Sequence, residues 1–144
     1  MIVISHRGNL TGKNLDTENT VKQLELVMSK NIPVEVDVRN IFGQWYLGHD
    51  QHDNKIDVQF LLQNKDMMWC HAKNIEALEK MLDIGLHCFW HQTDEYTLTS
   101  KGIVWAYPSF YTSVGILVMP SKDFIDNLNR PIYGLCVDDP INYL

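Results

Sequence analysis

Apolar and polar positions fall in short runs along this chain, and each run predicts one element. Ile2-Val3-Ile4 is a β-branched run closed by Ser5-His6-Arg7-Gly8, which predicts a buried strand ending at a glycine. Val21, Leu24, Leu26, Val27 and Met28 recur at near-helical spacing, so Asp16-Thr17-Glu18-Asn19-Thr20 opens a helix that ends before Pro33. Val34-Glu35-Val36-Asp37-Val38 alternates strictly, placing three valines on one face of a strand and both carboxylates on the other. Residues 44–47 predict another strand, which delivers Gly48-His49-Asp50 at its end.

The remainder continues in the same manner. A short helix is expected over residues 57–63 with Asp57 as cap, a strand over 67–70, and a helix over 75–84 capped by Asn74 and closed by Gly85. Strands follow over 88–90, 103–106, 115–119 and 132–137, with a helix after Ser121 through Leu128. Residues 91–102 hold no amphipathic helix, only a polar stretch with Leu98 and a turn at Lys101-Gly102. The sum is about seven or eight strands and about four helices, without repeats or low-complexity linkers.

Composition narrows the classes. The chain has 144 residues, 45% hydrophobic and 21% charged, which suits one domain with a full core over residues 1–144. A net charge of −6, with the 12 lysines and arginines scattered singly, gives no basic footprint for nucleic acid. No apolar stretch approaches the roughly 20 residues of a membrane span, and the chain opens directly into a strand, so a cytoplasmic location is expected. Cys70, Cys88 and Cys136 each sit in an apolar run without a C-x-x-C partner, which predicts buried free thiols.

The polar positions carry the chemistry. Glu35 and Asp37 on one strand face repel each other, so a divalent cation, an Arg or Lys, or a shared proton must stand between them. His6, Arg7 and His49 lie at the ends of neighbouring strand-like runs. Two histidines, an arginine and two carboxylates at strand ends suit metal-assisted phosphoryl chemistry: cation and Arg for the anionic phosphate, His for the protons.

Four blocks in order, His6-Arg7-Gly8, Glu18-Asn19-Thr20, Glu35-Val36-Asp37 and Gly48-His49-Asp50, resemble the glycerophosphodiester phosphodiesterase family. Ala72-Lys73 after an apolar strand is similar to that family's E-x-K strand, and residues 134–140 to its closing strand; the likeness is strongest over residues 2–50 and looser after residue 73. The resemblance implies a TIM-like (β/α) barrel. A complete barrel takes about 250 residues, so the expectation is a reduced one, with about seven to eight mainly parallel strands and few helices. A homodimer is one way to cover the strand faces left bare.

By the same resemblance, His6 and His49 are the catalytic acid and base, Arg7 and Lys73 bind the substrate phosphate, and Glu35 and Asp37 hold one divalent metal ion. His71 stands where the family usually has a third carboxylate. The resemblance implies Mg²⁺ or Ca²⁺, and an imidazole at that place shifts preference towards Mn²⁺ or Zn²⁺. The expected substrate is a small glycerol-type phosphodiester, attacked by its neighbouring hydroxyl to give a cyclic phosphate that water opens. A lyase stopping at the cyclic phosphate, and a non-catalytic module binding a phosphorylated small molecule, are the alternatives. Trp90, His91, Asp94, Trp105 and Tyr107, at later strand ends, are candidates for the pocket wall, although packing explains such aromatics as well. Asp138 and Asp139 close the last strand with a structural role implied.

Overall fold

In a computed structural model, which describes residues 1–50 and 54–144, the chain forms one curled sheet with short helices against it. The strands are β1 (Ile2–His6), β2 (Val34–Ile41), β3 (Gln44–Leu47), β4 (Asn54–Ile56), β5 (Met68–Ala72), β6 (Cys88–Trp90), β7 (Tyr96–Leu98), β8 (Val104–Ala106), β9 (Gly115–Val118) and β10 (Gly134–Val137). The helices are α1 (Val21–Met28), α2 (Val58–Gln63), α3 (Ile75–Asp83) and α4 (Lys122–Asp126), and a 3₁₀ turn covers Pro140–Tyr143.

This corrects the expected reduced TIM-like barrel. Ten strands pair as β4-β3-β2-β1-β10-β9-β8-β7, with β5 joining β2 to β6, and among the described residues β6 and β7 do not pair, so the sheet curls without closing. Pairing is mixed: β2–β3, β3–β4 and β7–β8 run antiparallel. The cause lies in the connections. A parallel crossover needs about a dozen residues or more, and the links around β7 and β8 are shorter, so the chain returns as a hairpin. Side chains bridge the β6–β7 gap: the Thr97 hydroxyl donates to the Trp90 carbonyl (2.8 Å), and the Ser100 hydroxyl accepts from the Cys88 N–H (3.0 Å).

Two helices are built as their sequences predict. Thr20 caps α1 by accepting from the Gln23 N–H, and Leu24 and Val27 face inward. Asn74 caps α3 through the Ala77 N–H while its amide donates to the Asn40 carbonyl (2.7 Å), locking the helix start to the end of β2; such a cap contributes about 1 kcal/mol. These helices cover the valine face of β2 in a core that includes Leu24, Val27, Val36, Ala77 and Met81. The inside of the curl is filled by Ile4, Trp69, Phe89, Trp105, Ile116 and Cys136. Gly115 permits this closeness at β8–β9, because a Cβ there would collide with the Val104 carbonyl. All three cysteines are buried and free.

Candidate functional site

The site sits at the carboxyl ends of the parallel strands, where open α/β sheets usually bind ligands. Register places its groups: His6 lies beside Glu35 across β1–β2, and Asp37 beside His71 across β2–β5. Glu35 and Asp37 share the face opposite the valines, as the alternation predicts, and both are buried.

Each charged group is held by others. His6 Nδ1 lies 2.8 Å from Asp138 Oδ1, and its Nε2 lies 3.9 Å from Glu35 Oε2. Burial works against a charged His6, but the Asp138 hydrogen bond and the Glu35 charge raise its pKa. Asp138 is pushed down by its bonds from His6 and from Asn9, in spite of burial. Arg7 Nε stands 3.0 Å from Asp37 Oδ2, and its Nη1 donates to Glu18 Oε1 (3.1 Å). Asn19 donates to Asp37 Oδ2 (2.9 Å) and accepts from the Asp37 N–H (3.0 Å). Arg7 and Asn19 both have left-handed backbones (φ 55° and 57°), a conformation that non-glycine residues adopt at some cost and that clusters at functional sites.

His71 completes the cluster. Its Nδ1 lies 3.3 Å from Asp37 Oδ1 and 3.6 Å from Glu35 Oε1, while Nε2 is 2.8 Å from the His91 carbonyl. The carbonyl can only accept, so Nε2 carries a proton and Nδ1 is the nitrogen turned to the carboxylates. Burial disfavours the imidazolium, yet Asp37 and Glu35 raise the His71 pKa to about 9. Asp37 is held well below the usual carboxylate range by His71, Arg7 and Asn19, against the effect of burial. Arg7, on Asp37 Oδ2, and His71, facing Asp37 Oδ1 and Glu35 Oε1, are thus the positive partners that the paired carboxylates require.

The same residues fit a cation. One ligand atom each from Glu35, Asp37 and His71 lies within 4.8 Å of the others, and Asp37 Oδ1 is buried without a hydrogen bond. Two carboxylates and an imidazole suit Mn²⁺ or Zn²⁺ better than Ca²⁺, which takes six to eight oxygens. Lys73 Nζ lies 4.0 Å from Asp37 Oδ1, at the edge of the cluster.

His6, Arg7, Glu35 and His71 open into one cleft of about 210 Å³. His49 does not join it. Its ring pairs with Asp50 (2.6 Å) and lines a neighbouring depression with Leu15, Glu18, Asn19 and Asn54. Of the later aromatics, His91, Trp105 and Tyr107 line the cleft, whereas Trp90 faces a different groove beside Leu98. His91 is buried under Tyr107 (ring centroids 5.4 Å) with neither ring nitrogen hydrogen-bonded, and burial lowers its pKa.

Sequence reasoning missed the roles of Asp138 and Asn9, the pair that orients His6. The signal was present: an Asp directly after the last apolar strand sits beside the end of β1 once β10 and β1 pair in parallel. Glu18 and Asn19 are more than helix-start residues, since Thr20 is the cap and they hold Arg7 and Asp37. No family model, curated protein or solved structure matches the chain, and no helix of the described residues is long and apolar enough to cross a membrane.

Proposed function

We propose that this chain is a metal-assisted phosphodiester hydrolase of the glycerophosphodiester phosphodiesterase type. One observation carries the reading: an Asp-oriented histidine, His6, shares a cleft with Arg7 and with the Glu35–Asp37–His71 cluster. With Nδ1 bound to Asp138, Nε2 is the nitrogen of His6 that exchanges protons with substrate. Arg7, fixed by Asp37 and Glu18, presents positive charge to the phosphate, and Lys73 adds a second cation nearby. Glu35, Asp37 and His71 would hold one divalent ion, which supplies charge stabilisation to the phosphoryl oxygens. His49 is kept as the partner in proton transfer on the family resemblance alone, since it lines the depression beside Glu18 and not the cleft.

The test is turnover by metal-stripped protein on glycerophosphodiesters and bis(p-nitrophenyl) phosphate, with Mg²⁺, Ca²⁺, Mn²⁺ and Zn²⁺ restored in turn. Metal-dependent hydrolysis that disappears in His6→Ala and Glu35→Gln supports the reading. Wild-type rates in those variants would remove the site assignment, and phosphorus NMR of the product separates hydrolysis from release of a cyclic phosphate. A second reading, a phosphate-binding module without catalysis, draws on His71: as an imidazolium it balances the carboxylates without any metal. Phosphate binding with no turnover under every ion would favour it.

A further inference from the structure

Away from its charged groups, the cleft is walled by His91, Trp105, Tyr107, Pro108, Val118 and Met119. These lie on β8 and β9 or follow β6, β8 and β9, so they come from strands other than those that carry the charges. Trp105 is fixed from behind by Phe89 (4.5 Å between ring centroids) and Trp69 (5.9 Å). Tyr107 and Met119 are 41% and 38% exposed at the cleft. Met119 also has a left-handed backbone (φ 45°), a placement that costs free energy and gains no burial.

Apart from the Tyr107 hydroxyl and His91, whose ring nitrogens are buried out of reach, this wall contributes no polar side chain. A glycerol arm laid against it would give up hydrogen bonds to water and recover few, whereas an apolar group would lose only its contact with water. The volume also sets a limit, because drug-sized ligands fill roughly 300–1,000 Å³ and this cleft offers about 210 Å³. The enclosed part of the cleft therefore suits a compact arm better than a long acyl chain.

We propose that the Trp105–Tyr107–Met119 wall is a subsite for a compact apolar ester arm, an aryl or short alkyl group, on the phosphate bound by the charged side. The proposal rests on the phosphodiesterase reading of that charged side. It assigns the glycerol-type arm, if one is present, to the charged half of the cleft, and it makes the second ester arm the determinant of specificity.

The experiment is equilibrium binding, by calorimetry or ligand-observed NMR, of methyl phosphate, phenyl phosphate and glycerol 3-phosphate. Phenyl phosphate should bind about tenfold more tightly than methyl phosphate, and glycerol 3-phosphate no more tightly than methyl phosphate. The phenyl-to-methyl ratio should fall towards one in the double variant Tyr107→Ser/Met119→Ser and persist in Tyr107→Phe, while Arg7→Gln weakens all three ligands together. Both residues of the double variant are partly exposed, so folding is checked by its thermal transition. Equal affinity for phenyl and methyl phosphate, or tighter glycerol 3-phosphate, overturns the subsite and leaves the phosphate reading standing. Absence of binding by all three, together with absence of turnover on any phosphodiester, overturns both.

Discussion

The charged and apolar sides of the cleft rest on different scaffolds. His6, Glu35, Asp37 and His71 stand on β1, β2 and β5, strands paired on both edges, and α1 and α3 cover the β2 valines behind them. Trp105, Tyr107, Val118 and Met119 stand on β8 and β9 or just after them, strands also paired on both edges but only three and four residues long; behind them Ala106 and Leu117 are covered by the partly buried Phe124 and Ile125 of α4, a helix with no buried residue. The difference follows from what each side must do. Charges act only when placed to within a few tenths of an ångström, so they need a rigid frame. An apolar wall acts through area, and a looser frame suffices.

The sharpest way to break the comparison is Asp37→Ala. It strips Arg7 and His71 of their buried partner, and unfolding free energy should fall by about 3–5 kcal/mol, with turnover down by about 10³-fold or more. Urea denaturation and single-turnover kinetics measure the two losses separately. Next comes a packing pair. Leu24→Ala beneath the charged side should cost about 2–5 kcal/mol, whereas Leu98→Ala, 62% exposed on β7, should cost no more than about 0.5 kcal/mol. Similar losses at both positions would show that the two scaffolds are equally cooperative.

Asp138→Asn should reduce turnover by about 10²-fold through loss of His6 orientation. It also removes a bond that raises the His6 pKa, so the limb of the pH–rate profile governed by His6 moves to lower pH. A purely structural Asp138 would lower activity without moving that limb.

pH tests the comparison in another way, and here two histidines oppose each other. His71 is raised from 6.5 to about 9; in metal-free protein its contribution to stability is full below about pH 6.5 and is lost as pH rises through 9. His87 packs on Trp69 and faces the Thr99 hydroxyl. Burial and the Lys101 charge lower its pKa to about 4, so its contribution is full above pH 6.5 and is lost as pH falls towards 4. Denaturation midpoints should show His71→Gln flattening the alkaline limb and His87→Asn the acid limb.

Much of the frame was legible because local signals agreed. Asn74 before an amphipathic run and Gly85 after it marked α3, and the alternation at residues 34–38 put Glu35 and Asp37 on one face. Strand direction was not legible. The β2–β3 hairpin turns through Phe42-Gly43 with φ of 49° and 81°, the pair of positive values that Asn-Gly usually announces, and a Phe in the first place hides it. Tyr96-Thr97-Leu98 is too short for a period to show, so β7 read as a polar link. In the site, His6, Arg7, Glu35 and Asp37 were singled out for their own chemistry and His71 through the family resemblance, and the structure brings the five together. Asp138 and the apolar wall acquire theirs only from what the topology sets beside them. His49 shows the converse, a residue with suitable chemistry placed in the adjoining depression.

The side-chain bridges between β6 and β7 have a kinetic meaning. A ladder strand opens only when several backbone bonds break together, but this seam is held by the Thr97 and Ser100 hydroxyls and by the backbone bond from the Ser100 N–H to the Cys88 carbonyl (2.8 Å). Amide hydrogen exchange should therefore find the edge strand β7 releasing its protons through a local opening of lower free energy than β1 and β10, whose protons are expected to exchange with global unfolding. Because β8 stays laddered to β9, such an opening frays the outer edge of the sheet and leaves Trp105 against Phe89, so the cleft keeps both its wall and the charge pattern of His6, Asp37 and His71 while that edge fluctuates.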